Sequence, residues 1–475
     1  MIDKHVESTN KNVSNSDLNE KNEEETVWPQ ILAILAGGLG AFTDGVIFSW
    51  TSPFIVKIVQ NKVDYDISEE EAANFPIIQP VALIITGFLI SNLCDMIGRK
   101  KVLLFLAVPH VINLLLSAFG RHIYVFYAAR VFAGIGDAFL WSALPMYIGE
   151  VASPKVRGVW GNTLASGLYM GQFAINVVGS YCDIPTTSYI FLPLPILFFV
   201  IFLFMPESPY YYLMKKDYEA AKSSLKFLTR KNNVDPEFNQ LKHDVERQLS
   251  ESGTWKDLVS IQSNRKALLA GFFLRWSQQF CGIPVFNQYT QFIFQKAGGL
   301  VSPRVASMIF SALCLILNII VVTFVIDKFS RKRLYAFSLV PCSVVLFVIS
   351  IYFYLDQMVP SVDTASLSWL PITALVSYQV VTSFGVTVIP TLMLGELFSS
   401  SVKAKGLTVL MIAMAGGVFM TSGIFNLLNT SVGYYAPFLF FGVCTVLSSI
   451  SSFFVIPDTK GKTLEEIQMT LKTTK

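Results

Sequence analysis

Charge is scarce in this sequence: of 475 residues only 15% are Asp, Glu, Lys or Arg, where a soluble domain carries about 25%. Histidine is rarer still, with four copies (His5, His110, His122 and His243) too scattered to form a metal cluster or a catalytic set. No phosphate-cradling Gly-rich loop occurs, and no cofactor is expected. The six cysteines (Cys94, Cys182, Cys281, Cys314, Cys342, Cys444) include no C-x-x-C pair, so they read as small apolar packing residues. A net charge of +3 is too weak to argue for nucleic acid. These absences exclude an ordinary cytosolic enzyme, a disordered chain and a coiled coil.

What is present is hydrophobic residue, 53% of the chain, and about 20 consecutive apolar residues cross a bilayer. Residues 1–26 are rich in Ser, Asn, Lys and Glu and read as a disordered tail. This tail has no cleavable signal core, so the first span is expected to direct its own insertion. Apolar stretches follow at about 27–56, 75–94, 102–120, 122–148, 159–181, 187–205, 267–295, 303–326, 334–355, 368–395, 406–429 and 433–456. Hydrocarbon leaves a lone segment one way to satisfy its own backbone, so all twelve are predicted to be helices. The fold class is an all-α polytopic membrane protein surrounded by lipid bilayer.

Basic residues orient it. The termini and the loops after spans 2, 4, 6, 8 and 10 hold 29 of the 36 Lys and Arg residues; the alternate loops hold 5, and Arg130 and Arg275 lie inside spans. Both termini are expected in the cytoplasm. The polar insertion at 206–266 carries eleven of the basic residues, includes an amphipathic stretch at Tyr218 to Leu228, and separates an N-terminal six-helix half (27–205) from a C-terminal one (267–456), with a cytoplasmic tail over 457–475.

The halves echo each other. Asp95-Met-Ile-Gly98-Arg99-Lys100-Lys101 after span 2 matches Asp327-Lys-Phe-Ser-Arg331-Lys332-Arg333 after span 8. Gly149-Glu150 with Arg157 matches Gly395-Glu396 with Lys403, and Pro206-Glu207-Ser-Pro209 matches Pro457-Asp458-Thr-Lys-Gly461. Three landmarks in the same order imply a parallel repeat, an arrangement that places a solute midway between the halves.

Arg130-x-x-x-Gly134-x-Gly136, Pro145-x-Tyr147-x-x-Glu150, Arg157-Gly158, Pro206-Glu207-Ser208-Pro209, Gln278-Gln279-x-x-Gly282 and Pro457-Asp458-Thr459-Lys460-Gly461-Lys462-Thr463 together resemble the sugar porter branch of the major facilitator superfamily, over about residues 30 to 470. Trp50-Thr51-Ser52-Pro53 further resembles the insect facilitated trehalose transporter-like group. The resemblance implies a sugar carrier of the plasma membrane, functional as a monomer, that works by alternating access and facilitated diffusion, with a cavity lined by spans 1, 4, 5, 7, 8, 10 and 11. A proton-coupled carrier, a carrier of another polar organic solute and a non-transporting sugar sensor are the alternatives. About 18 residues follow Pro457, short for a sensor's signalling tail.

The charges Arg99, Glu150, Arg157, Glu207, Asp327, Arg331, Glu396, Lys403 and Asp458 fall at cytoplasmic span ends, where opposite signs can tie helices together in one state of a carrier and release them in the other; topology anchoring is the plainer role. Exposed pairs contribute about 0–1 kcal/mol each, so several must act together.

Inside the membrane, polar side chains mark function or helix packing. Gln278 and Gln279 have the donors and acceptors that sugar hydroxyls need, and the resemblance implies that they contact sugar. Around them the usual ligands are replaced: Pro284, Thr391, Ser383, Ala165 and Leu315 stand where the family commonly has Asn, Trp, an acid, Gln and Asn. Polarity returns on the same helix faces at Asn287, Asn318 and Gln172. This implies a displaced site, or else ordinary interhelical bonds. Thr391 belongs to the substrate set, and Gly385 with Pro390 to a hinge in span 10. Asp44 is a possible proton site, one residue past the family's position, and Asp137 lies within reach of Arg130 on its own helix. Phe286, Tyr289, Trp276 and Trp141 are candidate lining residues. Asn429-Thr430-Ser431 matches a glycosylation acceptor that lies too near the membrane to be expected in use.

Overall fold

The structure is a computed structural model that describes residues 26–250, 253–299, 301–326, 328–359, 361, 364–398, 402–458, 466 and 469. Among these, regular structure is helical throughout. Twelve helical spans follow one another: α1 Trp28–Gln60, α2 Glu69–Ile97, α3 Arg99–Phe119, α4 Ile123–Val151, α5 Thr163–Tyr181 and α6 Ile184–Leu203, then α7 Gln262–Phe280 with its continuations Ile283–Gln288 and Thr290–Ala297. The rest are α8 Pro303–Val325, α9 Arg331–Met358, α10 Leu370–Phe384 with Ile389–Leu397, α11 Lys403–Ser431 and α12 Tyr435–Val455. Ten of the twelve are long and apolar enough to cross a membrane by composition. The two that fall short, α5 and α7, carry Gln172, Asn176, Ser180 and Arg275, Gln278, Gln279, so their lower hydropathy reflects polar groups turned inward.

Within the first half α4 packs on α2 and α3, and α1 on α5; within the second α9 packs on α12 and α10, and α7 on α11. The halves meet along α2 against α11 and α5 against α8. Where α1 crosses α5 the backbones touch: a Cβ on Gly171 would collide with the Phe42 carbonyl, and one on Gly45 with the Leu168 carbonyl. Small residues are the usual means of close approach where water supplies no drive to pack.

The linker between the halves folds into short helices at Pro209–Met214, Tyr218–Thr229, Asp235–Ser250 and Trp255–Ser260. The second is amphipathic and buries Ala221, Leu225 and Leu228. It seats against the start of α1 through Thr26 N to Thr229 O (3.2 Å) and the Arg230 guanidinium over the Trp28 ring (5.1 Å). The start of α1 and the linker therefore share one face of the bundle, the linker face.

Candidate functional site

α7 and α10 are both broken at mid-depth, and the breaks meet. Gly282 turns the chain left-handed (φ +92°) and Pro284 starts the next piece of α7. In α10 the helix stops at Phe384 and restarts at Ile389, with Pro390 in its first turn. Proline has no N–H, so Pro390 cannot bond the Val386 carbonyl four residues back. The Gln278 amide supplies the missing donor: Nε2 donates to Val386 O and Thr387 O, both at 3.0 Å. Gly385 leaves no room for a side chain, since a Cβ would meet Leu334 O at 2.6 Å on α9.

The Gln278 oxygen is also engaged, accepting from Arg275 Nη1 (3.2 Å) and Gln279 Nε2 (3.3 Å). Arg275 Nη1 donates a second bond to Thr391 Oγ1 (3.3 Å). Gln279 lies against Gly417 of α11. The structure thus brings Gln278, Gln279, Thr391, Gly385 and Pro390 into one place. It adds Arg275, which the sequence had marked as one of two basic residues inside spans without giving it a role.

The remaining candidate ligands sit elsewhere. Gln172 Nε2 donates to Asn287 Oδ1 across the halves (3.1 Å). Asn318 accepts from Asn162 Nδ2 (2.9 Å) at the linker-face end of α5. Gln172 and Asn162 are ten residues apart on one chain, about 15 Å of helix, so the three compensating residues work at two depths. Phe286 packs in the core on Tyr378 (ring centroids 4.2 Å apart).

Above Gln172 and Asn287 a belt of cross-half bonds shuts the opposite face. Thr51 Oγ1 donates to Gln288 O (2.9 Å), Gln291 Nε2 to Ser180 Oγ (2.7 Å), and Tyr289 Oη to Ala73 O (2.7 Å). Lys296 pairs with Glu69 at 3.1 Å on the rim.

Asp44 lies in a second buried cluster within the first half. Its Oδ1 is 3.5 Å from His110 Nε2, and its carboxyl meets that of Asp137. Gln79 Nε2 donates to both Asp137 oxygens, at 3.2 and 2.9 Å. The expected Arg130–Asp137 pairing is not what forms. Arg130 donates to Ile47 O and Asn113 Oδ1, each at 2.9 Å, and stacks over Trp50 (4.6 Å).

On the linker face Arg99, the first residue of α3, joins three spans: it meets Asp95 of α2 and Glu150 of α4, each at 3.1 Å. Glu207 accepts from the Lys100 backbone N–H at 3.0 and 3.1 Å, a carboxylate at a helix N-terminus where the dipole favours it. Burial holds the Glu207 carboxyl above its usual range, against the pull of the Lys100 and Ser208 N–H groups. Arg157 donates to Gly149 O (3.1 Å), Arg331 to Ile326 O (2.7 Å), and Asp458 accepts from Ser330 Oγ (3.0 Å). Lys403 begins α11, half-buried. Asp327 and the Glu396 side chain lie outside the described residues.

A family model for sugar (and other) transporters matches residues 31–471. A facilitated trehalose transporter of Bombyx mori is 30% identical over 447 residues, covering 94% of this chain and 87% of the relative. One from Polypedilum vanderplanki is also 30% identical, over 93% of this chain and 88% of the relative. Among solved structures, the proton:xylose symporter of the major facilitator superfamily bound to 6-bromo-6-deoxy-D-glucose superposes with a TM-score of 0.74 at 20% identity, over 93% of this chain and 99% of the other. An inward-open xylose transporter from E. coli gives 0.73 at 20% identity, over 92% and 98%. The superpositions show a shared fold over nearly the whole chain, and the family match runs from α1 past α12: the chain belongs to the sugar (and other) transporter family.

Proposed function

We propose that the protein carries a sugar, a hexose or trehalose, across the plasma membrane by alternating access and facilitated diffusion, as a monomer with both termini in the cytoplasm. The observation that carries this reading is the meeting of two broken spans of the second half at Gln278, Gln279 and Thr391. Broken helices at membrane depth occur where the backbone lines a cavity or is buried in protein. The trehalose transporter relatives support the substrate class. On this orientation the belt from Thr51 to Lys296 is the closed outer door. Gln172 and Asn287 part as it opens, becoming available to solute, and Gly385 with Pro390 let α10 flex. The Arg99–Glu150 pair and its companions Arg157, Glu207, Arg331, Lys403 and Asp458, with Asp327 and Glu396 at matching places in the repeat, would hold the inner ends together when the outer door is open.

A second reading, proton coupling, is favoured by the contact between Asp44 and Asp137. A carboxylate only accepts hydrogen bonds, so two carboxyl groups set side by side repel unless one of them carries a proton.

Uptake of radiolabelled glucose, fructose and trehalose by liposomes containing the full chain tests both. Saturable uptake unaffected by a protonophore is the expected result. Uptake abolished by the protonophore moves the weight to the Asp44–Asp137 pair, and binding without uptake overturns the carrier reading in favour of a sensor.

A further inference from the structure

Arg275 is the one basic residue deep inside a span of the second half. It sits thirteen residues into α7, about 20 Å from that helix's start, and is 6% exposed. The acids between residues 267 and 456 are Asp327, Asp356, Asp363 and Glu396; of these, Asp356 and Glu396 fall at helix ends and the other two lie outside the described residues. Among the described residues Arg275 makes no ion pair; its two hydrogen bonds both leave Nη1, to the neutral oxygens of Gln278 and Thr391. Nε is buried without a partner. The Nε–Nη2 edge, the one that grips a carboxylate through two parallel bonds, is therefore uncommitted.

The first half offers a contrast. Arg130 is fully buried and its Nε also lacks a partner, but Asp44 and Asp137 stand in the same half-bundle, and its Nη1 and Nη2 both have acceptors. An unpaired charge at membrane depth is costly, and such residues face ion or solute paths. Arg275 lies one turn from Gln279, on the linker-face side of the Gln172–Asn287 contact, where Thr391 is exposed.

Given a sugar carrier, we propose that Arg275 is an anion-binding residue and that the solute is a sugar acid whose single carboxylate docks on the free guanidinium edge while Gln279 and Thr391 take hydroxyls. One guanidinium balances one charge. A phosphate ester carries about −1.5 to −2 at neutral pH and would leave negative charge unmatched, so the carboxylate is the better fit.

The probes are radiolabelled D-glucuronate and D-glucose, which share a ring and differ in the acid group, with the full chain in liposomes. The wild type is expected to take up glucuronate saturably, and glucuronate to compete with glucose. Arg275→Gln is expected to cut the glucuronate-to-glucose uptake ratio by about 10-fold or more, the cost of a charge-assisted hydrogen bond. Arg275→Lys, which keeps the charge but loses the fork, gives a smaller drop and decides the matter if the Gln variant does not fold. A wild type that carries glucose and ignores glucuronate, or a ratio unmoved in both variants, overturns this assignment and leaves the sugar carrier standing. A chain that carries neither sugar overturns both.

Discussion

The belt that closes the opposite face lends itself to direct perturbation. Tyr289→Phe deletes the one hydroxyl that reaches Ala73 O, and Gln172→Ala deletes the donor to Asn287 Oδ1. Both bonds tie one half to the other, so neither contributes once the halves part on that side, and their loss should fall almost wholly on the closed state. Interhelical bonds in membranes average about 0.6 kcal/mol, and protein hydrogen bonds generally about 1. Each single variant should therefore raise the population open on that face by about 3- to 5-fold, and the pair by about 10-fold, at 1.4 kcal/mol per factor of ten. The reporter is Ser422→Cys: Ser422 is fully buried beneath the belt and bonded to Gln288 Oε1 (3.2 Å). The chain's own cysteines are buried or half-buried and give a low background. The rate at which an impermeant maleimide labels Cys at 422 reads the open population. Labelling that stays at the parent rate in the Tyr289→Phe, Gln172→Ala double variant would refute the idea that these bonds hold the face shut.

Three further outcomes are expected. Gly171→Ala drives a methyl into the Phe42 carbonyl of α1; the overpacking costs about 1–3 kcal/mol, and thermal unfolding in detergent should shift down by several degrees, whereas an unchanged midpoint would mean α1 and α5 are less tightly apposed. Arg99→Ala strands Glu150 in a buried site, a loss of about 3–5 kcal/mol when one partner of a buried pair is removed, read as lost folded yield that Arg99→Lys partly restores. Gly385→Ala fills the space against Leu334 O and Ser338; it should slow uptake several-fold with sugar affinity little changed, and unaltered uptake would remove Gly385 from the moving part of α10.

The spans were legible because a bilayer demands long apolar helices, and the two-half plan because charges and landmarks repeat at fixed places. α5 and α7 show the limit: their inward polar groups weaken the apolar signal at the positions of most interest. Spacing placed Gln278 and Gln279 on α7 and Thr391 on α10, but it could not show that Gln278 spends its amide on carbonyls freed by Pro390, because that depends on where α10 breaks. Asp137 and Arg130 share a helix face, yet each finds partners on other spans, Gln79 and Asp44 for one and Asn113 and Ile47 for the other. Same-helix geometry is blind to such neighbours. Arg275 was visible as a charge, while its unused edge depends on which groups the fold sets around it.

α7 is three rods joined at Gly282 and Tyr289 rather than one. A door hung on such joints need not wait for the whole wall to swing: its upper rods can tilt away from α1 and α5 while the lower rod keeps Arg275 and Gln279 in place. A solute could then be trapped, with both mouths shut, before either half moves. Kinetically that would be an airlock, an occluded stage set apart from the swing of the halves.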